Sequence, residues 1–312
     1  MEPRKLILLI TLSVIVKHFY EDTSMMVTAT APDESTEQQQ DVAACTLSPD
    51  DDDDDEDATC VWTEVDGNTR HYYNKALHAD NIIEVDVPRD VVANIQRDYE
   101  KDVAPFWHTN QSTDDFCLVA PYTPGVKTWS SIVDDVRSDI RWYSVNNEET
   151  YQRYYQYVKQ LGLMDRVREL EWIPSDQDLT VFSIFFIPRS FSKKYQFHVD
   201  WSEEVGTQVV TFLVPLSNFT IGLAYHDKDD KIRTYNYTVG KAIGVGGGNS
   251  HSTGIGRSET QDVLLCVYIG GQSKEMWEYT QENIADELEH YHHPFKGFIR
   301  NEFLKGRESK CQ

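Results

Sequence analysis

Cysteine is scarce in this chain, and none of it is spaced for metal or redox chemistry. The five residues, Cys45, Cys60, Cys117, Cys266 and Cys311, include no Cys-x-x-Cys pair. That excludes a zinc ribbon or a dithiol redox centre built on such a pair. The odd count leaves one thiol over in a simple pairing scheme, and Cys266, inside "VLLCVYIG", reads as a small buried apolar residue. Cys45 and Cys60 flank an acidic run and could close a loop around it, with the disulfide pairing left open. Positive charge is also short. Lys and Arg total 29 against 52 Asp and Glu, a formal net charge of −23. Nucleic acid and anionic membrane surfaces are therefore poor partners, because phosphate binding needs a basic patch. The N-terminal apolar stretch, Leu6 to Val16, has the length of a signal-peptide apolar region and is short for a membrane span. There is no internal repeat.

What is present begins with that stretch. Arg4 and Lys5 precede it, and the whole has the layout of a secretory signal. Residues 1–31 are read as a signal peptide, or as an uncleaved signal anchor, which would be the only link to a membrane. Three sequons, at Asn110, Asn218 and Asn236, fit a protein of the secretory pathway, resident in the lumen or secreted. Residues 32–60 are polar and acidic and include an unbroken run of carboxylates from Asp50 to Asp57. Such a run repels itself, so the segment reads as a disordered spacer. The sharper alternative is a weak site for calcium or a cationic surface.

Residues 61–312 read as one domain. "NIIEVDVP" (81–88) alternates as a strand does, and "RDVVANIQRDYEKDV" (89–103) has helical spacing at Val91, Val92, Ile95 and Tyr99. "SIVDDVRSDIRWY" (131–143) and "EETYQRYYQYVKQLGL" (148–163) are read as helices whose Tyr and Trp residues pack the core. After Pro174 the texture changes to short β-branched and aromatic segments. These are 179–189, 195–201, 207–216, 220–227, 232–240, 241–247 and 262–271, separated by Gly, Asn and Asp. That spacing predicts an antiparallel sandwich or barrel. Helical texture returns from Glu275, so the expected class is α+β, with a β core at about 180–271.

Chemistry concentrates in "YQFHVDW". Residues i and i+2 of a strand face the same side, so His198 and Asp200 can point together into a barrel mouth. An imidazole nitrogen and a carboxylate oxygen suit iron(II), and a facial triad needs one further ligand from another strand. His251, in "GGGNSHSTG", follows four strand-like segments later, after glycines that allow a sharp turn. His78 and Asp80 repeat the His-x-Asp spelling but have no distal partner at fitting spacing. "YHDKDDK" reads as a solvated hairpin tip, and "HYHHP" (290–294) as surface or local packing. Trp201 is expected beneath the site, or against substrate.

The order His-x-Asp, "TFLVPLS", "IGLAYHD", "YTVGKAI", "HSTG", "VLLCVYIGG" resembles the iron(II)- and 2-oxoglutarate-dependent dioxygenases over about residues 180–271. The resemblance implies a double-stranded β-helix, or jelly roll, with flanking helices. It implies iron bound by His198, Asp200 and His251, with 2-oxoglutarate and O2 consumed to hydroxylate a C–H bond. It further implies a basic residue, about ten positions past the second histidine, for the distal carboxylate of 2-oxoglutarate. There this chain has Glu259, Thr260 and Gln261. The nearest cation is Arg257, beside Ser258, and Lys241 and Arg233 are fallbacks. The substrate stays open among peptide, glycan, lipid and small molecule, as does oligomeric state. Two other readings stand beside this one: a non-catalytic secreted cupin-like binding protein, and a jelly-roll metalloenzyme that does not use 2-oxoglutarate.

Overall fold

The strand that organises the molecule is its most apolar run. In the computed structural model, "DVLLCVYIGG" is the second half of a strand spanning Gly256–Gly271, hydrogen-bonded on both edges. Val263, Leu265, Val267 and Ile269 face one layer, and Leu264, Cys266 and Tyr268 face the other. Both faces are covered, so the sequence reads as a continuous apolar run and not as an alternating one.

The structure describes residues 60–65, 69–74, 82–107, 109, 111–119, 138–169, 173–201, 204–205, 208–246 and 248–301. Residues 1–31, the acidic run, Cys45, the His78–Asp80 pair, Asn110 and Cys311 lie outside them. All described residues belong to one compact unit.

In chain order the strands are β1 (Cys60–Val65), β2 (Thr69–Asn74), β3 (Ile82–Asp86), β4 (Phe116–Val119), β5 (Trp142–Val145), β6 (Leu179–Ser192) and β7 (Val209–Pro215). They continue as β8 (Leu223–His226), β9 (Ile232–Tyr235), β10 (Lys241–Gly246), β11 (His251–Thr253), β12 (Gly256–Gly271), β13 (His290–His293) and β14 (Gly297–Arg300). The helices are α1 (Arg89–Asp102), α2 (Glu148–Gln160), α3 (Leu163–Glu169) and α4 (Lys274–Glu287).

One sheet runs β3-β10-β7-β12-β6-β5-β4 and a smaller one β11-β8-β9. An antiparallel bridge between His198 and His251 adds the segment before Asp200 to the edge of the smaller sheet. Strands β6, β12, β7 and β10 on one side, and the His198 segment, β11, β8 and β9 on the other, make a jelly roll. Its interior holds Trp201, Tyr225, Tyr237, Leu264, Cys266 and Tyr268. Helices α1, α2 and α3 cover the outer face of the larger sheet, where Val91, Val92, Ile95 and Tyr99 are buried as their spacing predicts. Tyr143, Tyr151 and Tyr154 join them in that core. Asn147 caps α2 by accepting from Thr150 N, and Ser273 caps α4 by accepting from Met276 N.

Three expectations change. Residues 142–145, read as part of a helix, form β5, antiparallel to β4 and β6. The tail is helical only to Glu287 and then makes the β13–β14 hairpin. The 195–201 segment is no full strand and meets the sheet by the single His198 bridge.

Candidate metal centre

The bridge that closes the smaller sheet also builds the site. His198 N donates to His251 O at 3.0 Å, and His251 N donates to His198 O at 2.9 Å. This reciprocal pair brings the two side chains to the same face, with ring centroids 4.7 Å apart. Gly248, at φ 81°, supplies the left-handed turn ahead of His251. Asp200, two residues past His198, completes the group. Its Oδ1 lies 3.5 Å from His198 Nε2 and 3.6 Å from His251 Nε2. One ligand atom from each residue falls within 4.8 Å of the others.

Each imidazole is held through its other nitrogen. His198 Nδ1 is 2.8 Å from Gln196 O, and His251 Nδ1 is 3.1 Å from Asn249 O. In that arrangement Nδ1–H donates to the carbonyl and Nε2 keeps its lone pair for a cation. Burial raises the pKa of Asp200, but His251 and His198 more than offset it, so its carboxyl sits well below the usual range. Burial lowers the pKa of His251 against the opposing charge of Asp200. A neutral imidazole and an ionised carboxylate are the forms that bind metal. His198 is half exposed while Asp200 and His251 are nearly enclosed, so the centre opens on the His198 side.

Beneath it runs a relay that the sequence did not announce. Trp201, 2% exposed, packs edge-on against Tyr268 at 4.8 Å and donates through Nε1 to Thr211 Oγ1 at 3.1 Å. The Thr211 hydroxyl in turn bonds the Asp200 carboxylate. Trp201 therefore packs under the metal ligands. Thr211 looks like ordinary strand filler in "TQVVTFLVPL", and only the register of β7 turns it inward.

The remaining candidates lie apart. Arg257 is exposed near the head of β12, opposite Phe191, and Ser258 beside it is buried. Lys241 pairs with Glu84 at 2.9 Å and Asp86 at 3.3 Å. Arg233 pairs with Asp227 at 2.8 Å. His226 stacks on Phe197 at 4.2 Å, and Asp227 accepts the amides of Asp229 and Lys231 in a tight hairpin tip. His292 stacks on Tyr151 at 5.0 Å and His290 on Phe298 at 5.8 Å. Among the described residues, His198, Asp200 and His251 form the one cluster able to hold a metal ion.

Strand order and triad together define the class: a double-stranded β-helix with a His-x-Asp…His metal-binding cluster. No family model matches the chain, and no curated protein does either. Solved structures that it resembles include iron- and 2-oxoglutarate-dependent oxygenases. A Pseudomonas putida prolyl-4-hydroxylase is 11% identical, with TM-score 0.43 over 63% of this chain and 96% of that one. HygX from Streptomyces hygroscopicus, solved with nickel and 2-oxoglutarate bound, is 12% identical, with TM-score 0.44 over 63% and 85%. EctD from S. alaskensis, solved with bound Fe, is 12% identical, with TM-score 0.44 over 62% and 74%. At these identities the class rests on the chain's own topology and ligand geometry.

Proposed function

We propose that this protein is an iron(II)- and 2-oxoglutarate-dependent oxygenase that hydroxylates a C–H bond of a substrate in the secretory pathway. The observation that carries the proposal is the converging triad: two imidazole Nε2 atoms and one carboxylate oxygen, from two segments joined by reciprocal backbone bonds. Two nitrogens and one oxygen on a single face suit iron(II) and leave other coordination positions for a 2-oxo acid and O2. The metal, when bound, supplies the oxygen chemistry. The chain does the rest. His198 and His251 present fixed tautomers, Asp200 stays ionised, and Thr211 holds the carboxylate in place. Trp201, Tyr268, Leu264 and Cys266 keep water from the inner side.

The secretory setting draws support from composition and surface. Cys117 is disulfide-bonded, which suits an oxidising compartment, and the sequon residues Asn218 and Asn236 are both exposed.

The test is spectroscopic. Purified protein, loaded anaerobically with iron(II), is expected to develop a visible charge-transfer band when 2-oxoglutarate is added. His198→Ala is expected to abolish both the band and stoichiometric iron binding. Wild-type protein that binds no iron sinks the proposal. Iron binding without a band for any 2-oxo acid leaves a jelly-roll metal protein of another chemistry.

A further inference from the structure

The reciprocal bonds between His198 and His251 leave one side of the ligand segment unused. Where two antiparallel residues exchange both bonds, the residues before and after point their own N–H and C=O groups the other way. Phe197 and Val199 therefore turn theirs off the sheet, away from β11, and neither has a backbone partner among the described residues. The segment is nonetheless held firmly. Gln196 N donates to Ser252 Oγ at 2.8 Å, and Gln196 O lies 2.8 Å from His198 Nδ1. Trp201, just beyond Asp200, is fixed by its bond to Thr211.

This edge is apolar as well as unpaired. Tyr195 is 37% exposed and Val199 47%. Tyr195 packs on Phe197 at 5.3 Å, and Phe197 stacks on His226 at 4.2 Å. Ile232, half exposed, is the cross-strand partner of His226. Sheet edges capture other strands, and proteins guard them with lysine, proline or a covering element. From Tyr195 to Val199 there is no lysine, no acidic residue and no proline. Two separate features thus coincide: the metal centre opens on the His198 side, and the unguarded edge is the His198 segment itself.

We propose that this edge takes an extended polypeptide as an added antiparallel strand, which presents one of its residues to the metal centre. This rests on the oxygenase reading above and narrows its substrate class to polypeptide. A glycan or a lipid has no alternating amide and carbonyl groups to pair with the edge. Every pairing in the smaller sheet is antiparallel, so the added strand continues it. The register follows from the free groups. Phe197 and Val199 each exchange backbone bonds with one peptide residue. The residue between those two lies opposite His198 in the non-hydrogen-bonded position, where Cα atoms are about 4.5 Å apart and side chains are closest. Opposite residues share a face, so its side chain points the same way as the His198 ring. Its two neighbours point to the outer face, beside Phe197 and Val199. Main-chain bonds supply the affinity, and the alternate side chains supply the selectivity.

The probe is a phage-displayed library of random dodecapeptides, panned anaerobically against the iron(II)-loaded full chain. An enriched peptide is synthesised, and each of its residues is N-methylated in turn. Binding is expected to slow amide exchange at Phe197 and Val199, read residue by residue. It is expected to leave the His198 amide, already bonded to His251 O, as it was. N-methylation is expected to act in alternation. It weakens binding about 10-fold or more at the residues opposite Phe197 and Val199, the effect of one backbone bond lost, and little at the residue between. No enrichment over bare support overturns the proposal. So does a bound peptide that leaves both amides exchanging as before, or a methylation scan without alternation. Free protein that dimerises with protection of the same two amides gives the edge to a second copy and overturns it too. A 2-oxoglutarate band in protein that selects no peptide overturns this proposal and keeps the oxygenase reading. Alternating peptide binding by a chain that takes up no iron keeps the edge site and removes that reading.

Discussion

Thr211 stands between the aromatic floor and the metal carboxylate, accepting from Trp201 Nε1 and bonding Asp200. Thr211→Val preserves shape and removes both bonds. The Trp201 N–H, buried with its partner gone, costs about 1–3 kcal/mol, which chemical denaturation reads directly. Asp200 also loses a group that lowers its pKa, so its carboxyl protonates at higher pH than in the wild type. Iron uptake in the variant is therefore expected to fail earlier as pH falls, and to be weaker by roughly 10-fold at neutral pH. A variant that is destabilised yet binds iron as before would limit Thr211 to packing. The convergence of His198, Asp200 and His251 was legible from context, a His-x-Asp pair amid strand-like segments with a glycine-flanked histidine beyond them, since His78 and Asp80 share the spelling without that setting. Thr211 was not. It gains meaning only from the register that turns it inward.

Elements were legible where apolar residues marked the period. Helix α1 and strands β3, β7, β10 and β12 follow their apolar patterns closely. Strand β5 was missed because the segment leading into it is carried by polar residues: Asp139, Arg141 and, in the strand itself, Tyr143 are buried while Ile140 and Trp142 between them are less so. An apolar count cannot see that alternation, since Asp139 and Arg141 are inside on the strength of hydrogen bonds to Ser190, Phe191 and the chain itself. The β13–β14 hairpin was missed for a related reason, because histidine has no strong preference of its own. Burial is the first cause lowering the pKa of His290, His292 and His293. Glu289 opposes it at His290, with Arg300 assisting; Glu148 of α2 opposes it at His292; Lys296 assists at His293. All three rings are therefore neutral in the folded hairpin and regain an ordinary pKa, about 6.5, when it opens. The open form binds more protons below that value, so the hairpin's stability is full above about pH 6.5 and declines as pH falls toward the lowered values. Amide exchange over 290–300 is expected to accelerate between pH 7.5 and 5.5 after correction for intrinsic rates. Unchanged protection would place the three rings in contact with solvent.

At the scale of the molecule, strands β6 to β12 run from Leu179 to Gly271, where apolar runs mark central strands buried on both faces, while β3, β4 and β5, from earlier in the chain, extend the larger sheet. What the sequence could not give was which end of the barrel holds which group. Chain order puts Asn218 beside Phe219 and Asn236 beside Tyr237, and the fold separates each pair. The two aromatic rings turn inward around Arg189, and the two asparagines are exposed. Glycans on those asparagines would coat the outer surface and leave the barrel interior untouched. Protein expressed through a eukaryotic secretory pathway is therefore expected to lose mass on treatment with an N-glycosidase. The Asn218→Gln/Asn236→Gln pair is expected to remove the share of that loss these two sites carry, while iron and 2-oxoglutarate affinities stay within about two-fold of wild type. Mass unchanged by the enzyme would remove the glycan support for the secretory assignment. A double variant that binds 2-oxoglutarate poorly would mean instead that the outer and inner residues of these segments are coupled, through the turns that carry Asn218 and Asn236.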